Sequence, residues 1–138
     1  MRPKIRPYSM KKLLLIGIWL LLSQLMVAQT DWAKRLQSSF MSANATELAT
    51  SFGNEMEVSI LGQSGIVEAK SAQQLLQNFF AEHAPQSCTV SHQGTRETSS
   101  FFILSYQDTQ AHTYRVYCVV RKSEEGQFVK QFRIDYVR

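Results

Sequence analysis

With 138 residues, 15 Lys and Arg against 11 Asp and Glu, and a formal net charge of +4, the chain has room for one domain and not for two. A basic total points towards nucleic acid or an anionic membrane, but the excess sits in one place. Arg2, Lys4, Arg6, Lys11 and Lys12 precede the first acid; without them ten bases face eleven acids, a net −1 that removes nucleic acid from the expected partners.

Those five bases lead into the apolar run Leu13–Leu22, the interruption Ser23-Gln24, and the close Leu25-Met26-Val27-Ala28. Basic head, short apolar body and small final residue are the parts of a secretory signal. A membrane anchor needs roughly 20 apolar residues, whereas Leu13 to Ala28 is 16 residues with a polar break. Residues 1–28 are therefore expected to be a cleaved signal peptide, and 29–138 a domain that functions in the periplasm or beyond the cell. No membrane contact is expected after cleavage.

Trp32, Leu36 and Phe40 recur every four residues and predict an amphipathic helix from Asp31 to Ser42. Asn44-Ala45-Thr46-Glu47 predicts a side-chain cap opening a short helix that buries Leu48, Ala49 and Phe52 and stops at Gly53. Met56, Val58 and Ile60 alternate with Glu55, Glu57 and Ser59 as a half-buried strand does. A turn at Gly62–Gly65 should lead to the brief strand Ile66-Val67. A longer helix follows from Ala69 to His83, burying Ala72, Leu75, Leu76, Phe79 and Phe80, and Pro85 prevents its continuation. Ser87–Gln93, Ser99–Gln107, His112–Arg121 and Gln127–Val137 read as four strands whose short connections favour an antiparallel meander. Helices first and a meander last define an α+β layer fold.

Candidate sites are sparse. Cys88 and His92, four residues apart on a strand, are separated by about 13 Å, while metal ligands lie about 2 Å from the ion; no metal or cofactor is expected. Cys88 and Cys118 fall on strands that flank Ser99–Gln107, so two strand spacings of about 9.5 Å in total separate them, beyond the roughly 7 Å that a disulfide spans. They are expected to be buried, unpaired thiols. Asp135 lies between Ile134 and Tyr136 on a strand, with Arg133 and Arg115 available for an ion pair.

Gly65-Ile66, then Leu75-Leu76-x-x-Phe79-Phe80, His92-x-Gly94, Tyr114-Arg115-Val116-Tyr117 and Phe132-Arg133-Ile134 follow in an order that resembles a family of exported bacterial proteins. That family is the domain of unknown function numbered 4783, within the nuclear-transport-factor-2-like, or cystatin-like, superfamily. The resemblance implies a strongly curved antiparallel sheet folded around the helices into a cone with a pocket, and no particular activity. It also implies a hydroxyl cap before the Phe79-Phe80 helix, where this chain has Glu68-Ala69-Lys70.

The expected function is that of a non-enzymatic exported module that uses the cone to bind a small apolar ligand or another protein, with Arg115, Tyr117 and Arg133 as candidate binding residues. The alternative is an isomerase- or hydratase-like enzyme with His92 or Asp135 as base and Tyr106 or Tyr117 as proton donor. A third reading is a purely structural dimeric module. Strict alternation puts Tyr114, Val116, Cys118 and Val120 on one face of their strand and Arg115, Tyr117 and Val119 on the other. On the last strand it sets Phe128, Phe132, Ile134 and Tyr136 against Val129, Arg133 and Val137. Neither face is wholly polar, so a homodimer through the outer face of the sheet is expected.

Overall fold

The computed structural model describes residues 31–138; the signal peptide expected over 1–28 lies outside them. Helix α1 covers 31–41 and buries Leu36 and Phe40 on one face, as their four-residue spacing requires. Helix α2, Ala45–Ala49, is capped as expected: Asn44 Oδ1 accepts the Glu47 amide at 3.0 Å. The Arg35 Nε–Glu47 Oε1 pair at 3.0 Å ties the two helices together. Phe52 does not extend α2. It begins strand β1, Phe52–Ile60, where Met56 and Val58 are buried.

The turn after β1 is tighter than expected. Ile60 pairs with Gln63, leaving a two-residue loop of Leu61 (φ 50°) and Gly62 (φ 89°) before strand β2, Gln63–Glu68. Positive φ at both positions is the hairpin turn whose twist matches the strands. Gly65, read as part of the turn, therefore lies in the strand. Helix α3, Ala69–Glu82, starts where the sequence places it, though Glu68 at its N-cap makes no side-chain cap bond. Ala72, Leu76, Phe79 and Phe80 are buried; Leu75, expected inside, is 39 % exposed.

Strands β3 (Pro85–Arg96), β4 (Ser99–Asp108), β5 (Thr113–Ser123) and β6 (Gly126–Tyr136) form the expected antiparallel meander. The six strands make one open, curved sheet in the order β2-β1-β6-β5-β4-β3, with β1 and β6 parallel, so one junction departs from the antiparallel expectation. Ser91 on β3 and Lys130 on β6 are bulged, each an extra residue that bends its strand. Gly94 lies beneath the Phe101 ring, where a Cβ would come within 2.6 Å of it, and Gly53 lies similarly beneath Phe128. Aromatic rings laid over strand glycines accompany sharp sheet curvature. Among the described residues no helix is long and apolar enough to cross a membrane.

The Lys130 bulge reverses part of the expected face assignment. Val129 turns inward and is 1 % exposed, while Phe128 joins the outer side over Gly53. The inner face carries Phe102, Leu104, Tyr106, Tyr114, Val116, Cys118, Phe132 and Ile134, all buried.

Cys88 and Cys118 are both buried and free. Cys88 is opposite Tyr106 and Cys118 opposite Phe102, so β4 separates them and they are also offset along it. Burial pushes both thiols up to about 12, with Cys88 adding a lesser electrostatic effect on Cys118. Thiolate is the reactive form, so the folded protein should react slowly with a thiol reagent at neutral pH and yield two groups in denaturant. Zero groups in denaturant under non-reducing conditions would contradict the strand order.

Candidate functional site

The meander registers determine which candidate residues share a surface. Continuous pairing runs from His92 to Ile103, Tyr117, Arg133, Ser59 and Ser64, so all of these point to the outer side of the sheet. One step along the strands, Ser105, Arg115 and Asp135 form a second row, and on the other side Phe101, Val119, Gln131, Glu57 and Ile66 form a third. The outer face thus holds His92, Arg115, Tyr117, Arg133 and Asp135 together. Tyr106 lies on the inner face, where its hydroxyl donates to the His83 carbonyl.

Arg133 donates from Nε to Asp135 Oδ2 at 2.7 Å, the ion pair expected, with Arg115 opposite Asp135 on β5. Tyr117 stacks on Phe101 with ring centroids 6.3 Å apart. His92 is exposed, and its Nδ1 lies 3.3 Å from the hydroxyl of Ser91. Three strand spacings separate His92 from Arg133, about 14 Å, so the two alternative bases, His92 and Asp135, lie apart on the outer face. Tyr106, on the far side of the sheet, joins neither. A depression of about 470 Å³ adjoins the ion pair, lined by Glu57, Ser59, Ser64, Ile66, Gln131, Arg133 and Asp135 among others. A second, of about 340 Å³, lies beside Gly53 and Phe128.

The inner side carries a polar cluster outside the candidates expected from the sequence. Asp108 ends β4 and is 2 % exposed. Its Oδ1 accepts the amides of Gln110 and His112, each at 2.9 Å. Its Oδ2 accepts the Tyr114 hydroxyl at 3.0 Å and lies 3.1 Å from His112 Nδ1. An ionised carboxylate only accepts, so His112 Nδ1 carries the proton. Tyr114 has spent its own proton on Asp108, so His83 Nδ1, 2.8 Å from the Tyr114 oxygen, must be the donor there. Burial pushes the Asp108 carboxyl up, but the bonds from the His112 amide, Tyr114, the Gln110 amide and the His112 ring outweigh it and hold it down at about 2. Burial raises Tyr114, and the bond to Asp108 raises it further.

The cluster joins the C-terminal cap of α3 to the β4–β5 turn. Among the described residues every buried side-chain nitrogen and oxygen has a partner, the condition under which a buried polar network stabilises a fold. Its other possible use is a carboxylate-oriented imidazole, the arrangement of a general base, since the His112 side chain is 55 % exposed. Neither depression described above includes it. One local signal marks it in the sequence: Asp108-x-x-x-His112 at a strand end is a side-chain-closed turn. Among the described residues no group of three or more His, Cys, Asp or Glu could hold a metal ion.

Helices against one face of an open, curved sheet, with a β1–β2 hairpin ahead of a four-strand meander, make up a nuclear-transport-factor-2-like fold. An NTF2-like protein of unknown function from Shewanella baltica has this fold, with a TM-score of 0.63 at 10 % identity over 84 % of this chain and 96 % of its own. Two crystal structures of DUF4783 family proteins lie nearer in sequence. That from Bacteroides uniformis is 28 % identical, with a TM-score of 0.71 over 76 % of this chain and 96 % of its own. That from Bacteroides ovatus is 28 % identical, with a TM-score of 0.70 over 75 % and 94 %. The family model described as "Domain of unknown function (DUF4783)" matches residues 33–135, and the chain belongs to that family. A search of curated proteins finds no match.

Proposed function

We propose that this is an exported, non-catalytic binding module whose working surface is the outer face of the sheet, where it pairs with a second copy of itself. The supporting observation is the half-exposed stripe Phe101, Ile103, Tyr117 and Val119, bordered by Arg115, Arg133, Asp135 and Glu57. An apolar strip rimmed by polar groups is the usual form of an interaction surface. Both signs of charge lie on its border, so a two-fold can set cation against anion. The inner side offers less room for a small apolar ligand, because Phe40, Phe79, Phe80, Tyr106 and Tyr114 pack on one another there with centroids 5.3–6.4 Å apart.

Light scattering at micromolar concentration is the test. A mass above that of one chain is expected, and Tyr117→Glu should lower it without altering the far-UV circular dichroism. A one-chain mass that holds on concentrating would sink the reading. An isomerase- or hydratase-like reading rests on His112, oriented by Asp108, rather than on His92 or Asp135.

A further inference from the structure

An open sheet has two edges, and this one protects only one of them. The β3 edge begins with Pro85, gives its Val90 amide to Gln37 Oε1 at 3.1 Å, and breaks at the Ser91 bulge, whose hydroxyl donates to the Ile103 carbonyl. Proline, a covering side chain and a bulge are the devices that keep strands from adding to an edge. Among the described residues the β2 edge has none of them. Its sequence Gln63-Ser64-Gly65-Ile66-Val67-Glu68 contains no Pro and no Lys, pairs with β1 without a bulge, and leaves Ile66 70 % exposed.

The direction of its free groups follows from the hairpin. Leu61 donates to the Ile134 carbonyl of β6, so the odd-numbered residues of β1 face β6 and Ile60, Val58 and Met56 face β2. Gln63, Gly65 and Val67 therefore satisfy β1, because paired residues in an antiparallel ladder exchange both bonds. Ser64, Ile66 and Glu68 turn their amides to the open edge, with their side chains on the outer face beside Ser59, Glu57 and Glu55.

We infer that β2 is a strand-addition site whose occupant is the β2 of a second copy, antiparallel about a two-fold at Ile66. The strand is complementary to itself in that register. Ile66 lies opposite Ile66, covering the most exposed large apolar residue described, and Ser64 lies opposite Glu68. Hydroxyl against carboxylate is a charge-assisted pair, and no like charges meet across the join. The resulting twelve-strand sheet doubles the outer face. Combined with the face pairing proposed above, on which only the tetramer count rests, two such sheets stack into a closed tetramer with three two-fold axes, a common solution for chains carrying two isologous surfaces.

Light scattering on four proteins tests this and separates it from the face pairing. Wild type should have the mass of four chains, Ile66→Pro two, Tyr117→Glu two, and the double variant one. Pro at 66 removes an amide that faces the open edge and leaves the β1 ladder whole; unchanged circular dichroism checks that. Ile66→Lys should separate the edges by setting like charges together, and mixing it with Ile66→Glu should restore the lost mass, which a merely damaged fold would not do. A wild-type dimer that Ile66→Pro dissociates and Tyr117→Glu does not would support the edge and overturn the face. A mass unmoved by both Ile66→Pro and Ile66→Lys, or a monomeric wild type, would overturn the edge.

Discussion

Asp108→Ala should cost about 3–5 kcal/mol of folding stability, measured by urea denaturation. The size comes from what is left behind rather than from the carboxylate alone. The Tyr114 hydroxyl, 3.0 Å from Oδ2, loses its acceptor in a buried setting, and the Gln110 and His112 amides lose Oδ1 together. The β4–β5 turn is built on those two amides, so its closure weakens with the core contact. Asp108→Asn keeps one carbonyl oxygen and should cost about half as much. The pH dependence has a definite sign. Because the folded carboxyl is held at about 2, below the usual carboxylate range, its stabilisation is complete above about pH 4 and lost as pH falls towards 2. Asp108→Asn should flatten that part of the acid limb. A loss below 1 kcal/mol for Asp108→Ala would show that the cluster is not holding α3 to the turn.

Local chemistry made much of this fold legible. The Leu36–Phe40 spacing, the Asn44 cap, the Met56-Val58 alternation and the α3 face depend on neighbours within one or two turns, and each stands where the sequence puts it except Leu75, which lies at the exposed margin of the α3 face. Two free thiols followed from strand counting alone. What escaped is non-local. Nothing near β1 or β6 announces that they run parallel, since that follows from how the whole meander returns. Period-two counting fails at Lys130, because a single inserted residue exchanges the faces of Phe128 and Val129. Leu61 accepts a positive φ that its residue type disfavours, so glycine spacing misplaced the turn. His83, Asp108 and Tyr114 come from the end of a helix, the end of one strand and the start of the next, and only the folded chain brings them together. The candidate site residues divided for the same reason. Register puts His92 on the same outer face as Arg115, Tyr117, Arg133 and Asp135 but three strands away from Arg133, while parity puts Tyr106 on the inner face.

Phe79→Ala should destabilise the fold by about 3–5 kcal/mol, the usual range for emptying a large aromatic from a packed interior. Phe79 sits where α3 meets the sheet, with ring centroids 6.0 Å from Phe80, 5.4 Å from Tyr106, 5.3 Å from Tyr114 and 5.1 Å from His83. These neighbours are carried by α3, β4 and β5, and the polar ends of Tyr106 and Tyr114 are held by His83 and Asp108. The surroundings are therefore braced and should collapse only partly into the space left behind. An apolar void of this kind stays dry and accepts a small aromatic molecule. Benzene should therefore raise the Tm of Phe79→Ala and leave that of the wild type unchanged. The contrast tests how the inner side of the sheet is used. If benzene stabilises the wild type as well, the inner side already has an apolar space of its own, and ligand binding there displaces the outer face as the better functional reading. If the variant loses less than 1 kcal/mol, the ring cluster is not the packed centre of the fold.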